Sequence, residues 1–85
     1  GMSMCKSGIL DGDLLVVHKT SVAQNGQIVV TRLDQKVAVL RFKQTLDMIH
    51  LHTEGDDSSR TDYTLSDAEL VIEGVGIGVI RNELT

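Results

Sequence analysis

The chain has no proline and no tryptophan, and its only aromatic side chains are Phe42 and Tyr63. Two isolated aromatic residues cannot form the usual platform on which nucleic-acid bases stack. The chain also lacks a net positive charge, because it has eight lysines and arginines and twelve aspartates and glutamates, which gives a net charge of -4. Since non-specific binding to a phosphate backbone needs a basic face, the composition argues against direct nucleic-acid binding.

Cys5 is the only cysteine, so no internal disulfide can form. Such a chain suits a reducing compartment, and we expect a cytoplasmic protein. No apolar run approaches the roughly 18 residues of a membrane span, and the N-terminus lacks a signal-peptide pattern. The sequence therefore predicts no membrane association, and no motif in it indicates a cofactor.

Valine, isoleucine and leucine supply most of the apolar side chains, which make up 41% of the chain. Branched residues of this kind suit β-strands. The length fits a single domain over residues 1–85. A domain this small buries only about two-thirds of its unfolded surface, so pairing with a second copy is a natural way to add buried area.

Runs with strand chemistry alternate with turn signals along the chain. Asn25-Gly26 is a hairpin-type dipeptide, and Asp34-Gln35 marks a further turn. We predict a mainly β fold, a small, partly closed barrel of about six to seven short strands. The strands that can be assigned cover residues 14–18, 27–33, 36–42, 48–52 and 70–81.

The last of these strands is interrupted by Gly74, Gly76 and Gly78, which share one face by parity. Glycines in a strand indicate bulges, or the close approach of another backbone. A phosphate-binding loop is the alternative, but the glycine spacing does not fit one and no helix follows.

Two groups of side chains have the chemistry of metal ligands. His50 and His52 share a strand face, but no third ligand is evident, which favours a solvated face. Glu54, Asp56 and Asp57 lack the spacing of a calcium loop, and residues 54–62 are predicted to form a solvated acidic loop. The sequence therefore predicts no metal site.

Several motifs, in order and with matching spacing, resemble the C-terminal domain of the LexA/UmuD family, with LexA the nearer of the two. The resemblance covers nearly the whole chain and is poor only over residues 45–68. Its clearest motifs are Gly-Met-Ser-Met at 1–4, Gly-Ile-x-Asp-Gly-Asp-Leu-Leu-x-Val-His-Lys-Thr at 8–20, Asn-Gly-Gln-x-Val-Val at 25–30, Ile-Glu-Gly at 72–74 and Gly-Val-Ile-Arg-Asn at 78–82.

The resemblance implies a β-rich domain of bacterial SOS-response regulators, a group of transcriptional repressors. Such domains dimerise and carry a serine–lysine dyad, and on contact with the RecA filament they cut their own chain upstream of the serine. The serine falls on Ser3, and the amides of Met2 and Ser3 would form the oxyanion hole. The family's dimerisation segment maps to Ile72, Val79, Ile80 and Arg81.

The lysine of the dyad falls in a Val-x-Val-Lys-Arg pattern, where this chain has Val-Ala-Val-Leu-Arg, so Leu40 occupies the lysine position. A buried lysine in such a dyad stays neutral and takes the serine proton. Leucine is similar in length but has no lone pair. The sequence therefore predicts a scaffold whose base has been replaced by packing.

No other residue is an evident substitute for the base. Arg41 projects from the face opposite to Leu40, and Lys36 shares the face of Leu40 but lies about 13 Å along the strand. Lys6 is the best remaining candidate because it is close to Ser3 in sequence. An active serine peptidase that uses Ser3 with Lys6 is therefore the alternative hypothesis.

The family's cleavage site and its DNA-binding helix-turn-helix both precede the serine, and this chain begins at the serine motif. We therefore expect a domain without an N-terminal DNA-binding domain, which neither cuts itself in cis nor reads an operator. The favoured hypothesis is a catalytically inactive module that forms a homodimer or pairs with a full-length LexA-type relative.

Overall fold

The computed structural model describes residues 3–55, 60–66 and 69–82. One 3-10 turn, Cys5–Ser7, precedes six strands. The strands are β1 (Leu14–Lys19), β2 (Ile28–Leu33), β3 (Lys36–Gln44), β4 (Met48–His52), β5 (Asp62–Ser66) and β6 (Val71–Ile80).

The six strands form one antiparallel sheet in the order β1-β6-β2-β3-β4-β5. The predicted mainly β class is confirmed. Within the described part of the chain β1 and β5 remain sheet edges, so the sheet is not closed into a barrel, although the arrangement is compatible with a partly closed fold. The C-terminal strand β6 lies between β1 and β2, and it thereby joins the first part of the chain to the centre of the sheet.

Most strand positions follow the predicted pattern, and β4 has the predicted bounds. The prediction of a solvated loop over residues 54–62 was wrong at both ends. Glu54 is half-buried, and Asp62 opens β5, which pairs with β4. Asp56 and Asp57 lie outside the described residues.

The turn at Asn25-Gly26 is present, but it does not close a hairpin. The Gln27 amide donates to the Gln24 carbonyl at 3.1 Å, and Gly26 has a φ of 88°. The strand before this turn, β1, pairs with β6 and not with β2, so the hairpin interpretation was wrong. The tight hairpin is the next one, where Asp34-Gln35 adopts φ values of 48° and 67° between β2 and β3.

The core lies at the centre of the sheet. One buried polar residue, Thr31, lies within it and donates its hydroxyl to the Ala38 carbonyl at 3.4 Å. Regular alternation along β2, β3 and β4 places the apolar side chains on one face. The buried apolar cluster consists of Val29, Leu40, Phe42, Ile49, Leu51 and Val75.

Gly74 occupies a point of close backbone approach. A Cβ atom built on this residue would collide with Val17 Cγ1 and would lie 2.7 Å from the His18 carbonyl oxygen. No side chain fits there without displacing β1. The predicted close approach is therefore confirmed, and it brings the backbone of β1 into direct contact with β6 at this point.

The predicted bulges are also present, but they break the predicted parity of the glycines. Ile77 is an extra residue in the β1–β6 pairing, because Val16 pairs with Gly78 and the next residue of β1 pairs with Gly76. A Cβ on Gly76 would meet Leu15, whereas one on Gly78 would meet Val16. Since neighbouring strand residues point to opposite faces, the prediction that all three glycines share a face was wrong.

Candidate active site

The serine loop, which we define as residues 3–7, begins with the exposed Ser3. Met4 follows and is buried, so it anchors the start of the loop. The 3-10 turn then ends at Gly8, whose amide donates to the first carbonyl of the turn at 3.1 Å. With a φ of 87°, Gly8 adopts the left-handed conformation that favours glycine. The loop is thus anchored at Met4 and Gly8, and Ser3 lies at the surface.

Glu54 pairs with this loop through its backbone. Its amide donates to the Ser3 carbonyl at 2.9 Å, and its carbonyl accepts from the Lys6 amide at 2.7 Å. The same amide lies 3.4 Å from the Met4 sulfur. Two backbone hydrogen bonds therefore attach residues 3–7 to the segment that follows β4.

The Glu54 side chain adds a charged network to this pairing. Arg41 donates to Glu54 Oε1 from Nε at 2.9 Å and from Nη2 at 2.7 Å, and from Nη1 to the Gly26 carbonyl at 2.7 Å. The Ser7 hydroxyl donates to the same carboxylate. The Arg41 and Ser7 hydrogen bonds hold the pKa of Glu54 below its usual value, so the carboxylate is ionised at neutral pH.

An open cleft of about 520 Å³ contains both positions of the expected dyad. Ser3 lines it from the loop and Leu40 lines it from β3, where Leu40 is only 2% exposed. The structure therefore brings together the two residues that the sequence singled out. Other lining residues are Ile9, Leu15, Val37, Thr53 and Tyr63.

Among the described residues that line this cleft, none is a lysine, arginine or histidine. Its carboxylates are Asp11 and Asp13. A carboxylate is a much weaker base than a neutral amine and is therefore a poor acceptor for a hydroxyl proton. Lys6 is exposed on the 3-10 turn and is not among the lining residues. The arrangement offers a hydroxyl and a shaped apolar wall but no evident base.

The oxyanion-hole prediction is only half described. Met2, whose amide is one of the two predicted donors, lies outside the described residues. That Met2 and Ser3 supply the oxyanion hole therefore stays a prediction.

The predicted dimerisation residues differ in how much surface they offer. Ile80 is 58% exposed and Val79 is 40% exposed, whereas Ile72 is half-buried and packs against the core. Two further apolar residues of these strands, which the sequence prediction did not include, are also exposed: Leu14, which pairs with Ile80 and is 65% exposed, and Ile77, the bulged residue. The bulge at Ile77 depends on the pairing of β1 with β6, so no local sequence signal marks it.

Arg81 binds the turn that precedes β1. Its guanidinium donates to both carboxylate oxygens of Asp13, at 2.8 and 2.7 Å, and to the Gly8 carbonyl at 2.9 Å. The Leu10 amide also donates to Asp13, at 2.7 Å. The Arg81 hydrogen bond lowers the pKa of Asp13 to about 2. The end of β6 is thereby tied to the turn that enters β1.

His50 and His52 occupy the less buried face of β4, as predicted from their alternation. The ring of His50 contacts the hydroxyls of Thr45 and Thr64, and His52 Nδ1 lies 3.1 Å from the Thr53 carbonyl. No group of three or more potential metal ligands occurs in residues 3–55, 60–66 and 69–82. A helix long and apolar enough to cross a membrane is likewise absent from these residues.

Comparison with known proteins places these observations in a family. The model of the Peptidase S24-like family matches residues 1–77. The LexA repressor of Idiomarina loihiensis is 53% identical over all 85 residues, which correspond to 42% of that protein. The LexA repressors of Shewanella frigidimarina and Aeromonas hydrophila are each 51% identical over 96% of this chain and 40% of theirs. The chain thus spans about two-fifths of the length of these relatives.

Proposed function

The chain belongs to the Peptidase S24-like family as a LexA-type C-terminal domain, and we propose that it acts in the SOS response as a dimerising regulatory domain that does not cleave peptide bonds. The observation that carries this proposal is the shared cleft of Ser3 and Leu40. A serine hydroxyl is a poor nucleophile unless a base takes its proton. At the position where the family has its lysine, this cleft has a hydrocarbon.

The replacement removes more than a proton acceptor. A buried lysine without a counter-charge costs stability, because the ammonium loses its hydration. Leu40 packs with Val29 and Phe42 in the buried cluster and avoids that cost. We infer that the site has changed from a strained catalytic site into a packed one, while its loop and cleft are retained.

Dimerisation is supported by the apolar residues that β1 and β6 leave in solvent. Leu14, Ile77 and Ile80 are each more than half exposed on neighbouring strands. Exposed apolar residues grouped in this way mark interaction surfaces more often than isolated ones do. We propose that these exposed residues of β1 and β6 pair with a second copy, or with the same strands of a full-length LexA-type relative.

Pairing with a full-length relative would give the domain a regulatory role. A mixed dimer would hold one cleaving and one inactive subunit, and would thereby alter repression or the response to the RecA filament. The domain itself makes no nucleic-acid contact in this proposal, and it works in the cytoplasm. Co-expression with a tagged relative followed by recovery of mixed dimers tests it, and failure to recover them would contradict it.

The catalytic part is tested with a peptide that carries a family-type cleavage site, supplied in trans at pH 7 and pH 10. The unaltered chain and Leu40→Lys are compared, because high pH deprotonates any lysine that is able to act. We expect the unaltered chain to be inert at both pH values and Leu40→Lys to cut. Ser3→Ala in the Leu40→Lys background is the control and should abolish cutting.

Cleavage by the unaltered chain would contradict the proposal and would favour the alternative, an active peptidase with Ser3 as nucleophile. In that case Lys6→Met is the next variant. Loss of activity on this substitution would identify Lys6 as the base. Retention would direct the search to other groups near Ser3.

A further inference from the structure

Glu54 contacts the serine loop near both of its ends. Its amide bonds the carbonyl of Ser3, its carbonyl bonds the amide of Lys6, and its carboxylate accepts from the hydroxyl of Ser7. Three contacts from one residue to a five-residue loop fix both the position and the direction of the loop. The Ser3 backbone therefore depends on where Glu54 is held.

Arg41 determines where Glu54 is held. Its guanidinium donates twice to Glu54 Oε1, once to the Gly26 carbonyl at 2.7 Å, and once to the Ser7 hydroxyl at 3.3 Å. The guanidinium is rigid and planar, so several simultaneous hydrogen bonds fix its orientation. Arg41 stands on β3, the central strand next to β2, and thus ties a surface loop to the sheet.

We propose that Glu54, oriented by Arg41, is a positioning residue that keeps the serine loop assembled independently of any base. Two neighbouring residues of β3 correspond to the position of the base and to the orientation of Glu54. Leu40 stands where the base would act and faces the core, whereas Arg41 projects from the other face and orients Glu54. Loss of the base therefore leaves the presentation of Ser3 intact.

The partial burial of this ion pair distinguishes it from the Arg32–Glu73 pair. The side chains of Arg41 and Glu54 are each 29% exposed, whereas those of Arg32 and Glu73 are 51% and 42% exposed. Exposed pairs contribute little because water and salt screen them. Arg32–Glu73 therefore serves as a matched control with the same chemistry on the same sheet.

The first experiment is amide hydrogen exchange in the chain as it exists. Glu54→Ala and Arg41→Gln should each accelerate exchange of the Lys6 amide by about tenfold or more, because charge-assisted hydrogen bonds that hold its acceptor are lost. Amides of the β2–β3 ladder report global unfolding and should change much less. Glu73→Ala should leave the Lys6 amide unchanged.

Unchanged exchange of the Lys6 amide in a folded Glu54→Ala protein would overturn the proposal. Equal acceleration of the Lys6 and ladder amides would also overturn it, since it would mean a merely global loss of stability. Glu54→Gln retains the size of the side chain and removes its charge. It serves as the second variant if Glu54→Ala fails to fold, and we expect it to accelerate Lys6 exchange by a smaller factor.

The effect of Glu54 on catalysis rests on the proposed function, and it is measured in the Leu40→Lys background. Adding Glu54→Ala should lower kcat by about tenfold or more with little change in KM, because the peptide still fits the cleft but Ser3 is misplaced. Arg41→Lys should recover part of the Lys6 protection that Arg41→Gln loses. An inactive Leu40→Lys protein would count against the proposed function, whereas the exchange experiment would still decide the role of Glu54.

Discussion

Strands β2, β3 and β4 bury most of their apolar side chains, whereas β1 and the end of β6 leave most of theirs in solvent. We call β2, β3 and β4 the centre of the sheet, and β1 together with β6 its flank. Leu40 is 2% exposed in the centre, and Ile80 is 58% exposed on the flank. The centre follows regular alternation, while the flank contains a bulge at Ile77 and a backbone contact at Gly74. Apolar composition is thus similar in the two regions, but only the centre uses it for packing within the chain.

The difference in burial implies different roles for the two regions. The centre carries the stability of the domain and one wall of the cleft, so a change there affects folding and chemistry together. In the proposed function the flank offers its exposed apolar residues to a partner, and its attachment to the centre depends on glycine geometry and on ion pairs. Mutations in the two regions should therefore have separable effects.

Leu40→Lys is expected to have the largest effect on stability. Burial of an ammonium without a partner should lower the free energy of unfolding by on the order of 3 kcal/mol at pH 7. The folded-state pKa of the new lysine lies below its unfolded value of about 10.4, so the unfolded chain binds more protons and stability rises with pH up to that value. Urea denaturation between pH 7 and pH 10 measures this rise.

Leu40→Met is the matched control for that substitution. It conserves side-chain volume without adding a charge, so it should cost less than about 1.5 kcal/mol and should show no comparable rise with pH. A Leu40→Lys protein whose stability loss stayed constant from pH 7 to pH 10 would show that the site is hydrated and is not part of the core.

Gly74→Ala should have the next largest effect, because it pushes the flank away from the centre. The added Cβ would lie 2.7 Å from the His18 carbonyl oxygen, a backbone atom that cannot move alone. We expect a loss of about 1 to 3 kcal/mol in thermal or urea unfolding. Gly78→Ala is the control, since its Cβ would meet nothing nearer than 3.9 Å. Equal losses for both would mean that backbone freedom, and not close contact, matters at these positions.

Ile80→Asp should separate association from folding. Since Ile80 is more than half exposed, the stability of the monomer should change by less than about 0.5 kcal/mol. The dissociation constant of the dimer should rise tenfold or more, as measured by sedimentation equilibrium, because a charge would enter an apolar interface. Leu46→Asp, at a fully exposed position between β3 and β4, should leave it unchanged. If the unaltered chain is monomeric at every accessible concentration, the proposed dimer is wrong.

The centre of the sheet was predictable because its signal is local. Alternation of His50 and His52 with apolar neighbours places β4 correctly without any knowledge of its partners. The strand β5 was missed because Asp62 and Thr64 are polar and follow an acidic run, so its alternation is weak. Pairing with β4 decides its structure, and that information is not local.

The two positions of the expected dyad were predictable from the sequence, but the residues that hold the serine loop in place were not. The resemblance located Ser3 and Leu40, and both line the cleft. Glu54 was interpreted as part of a solvated loop because nothing in an acidic stretch distinguishes a paired carboxylate from a free one. Its partner Arg41 lies 13 residues earlier, and only the β3–β4 pairing brings the two within hydrogen-bond distance.

The Asp13–Arg81 pair tests how the flank is attached at its outer end. The folded-state pKa of Asp13, about 2, lies below its ordinary value of 3.8, so its stabilising contribution is present above that value and is lost as the pH falls towards 2. The difference in urea midpoint between the unaltered chain and Asp13→Asn should therefore be constant from pH 7 to pH 5 and then shrink. Other carboxylates titrate in the same range but are common to both proteins, so the difference isolates Asp13. Because the pair bonds Gly8 and the end of β6, but not the core, the loss of stability should be smaller than that caused by Leu40→Lys. A difference that does not depend on pH would mean that Asp13 contributes by packing, and that the attachment of the flank is not ionic.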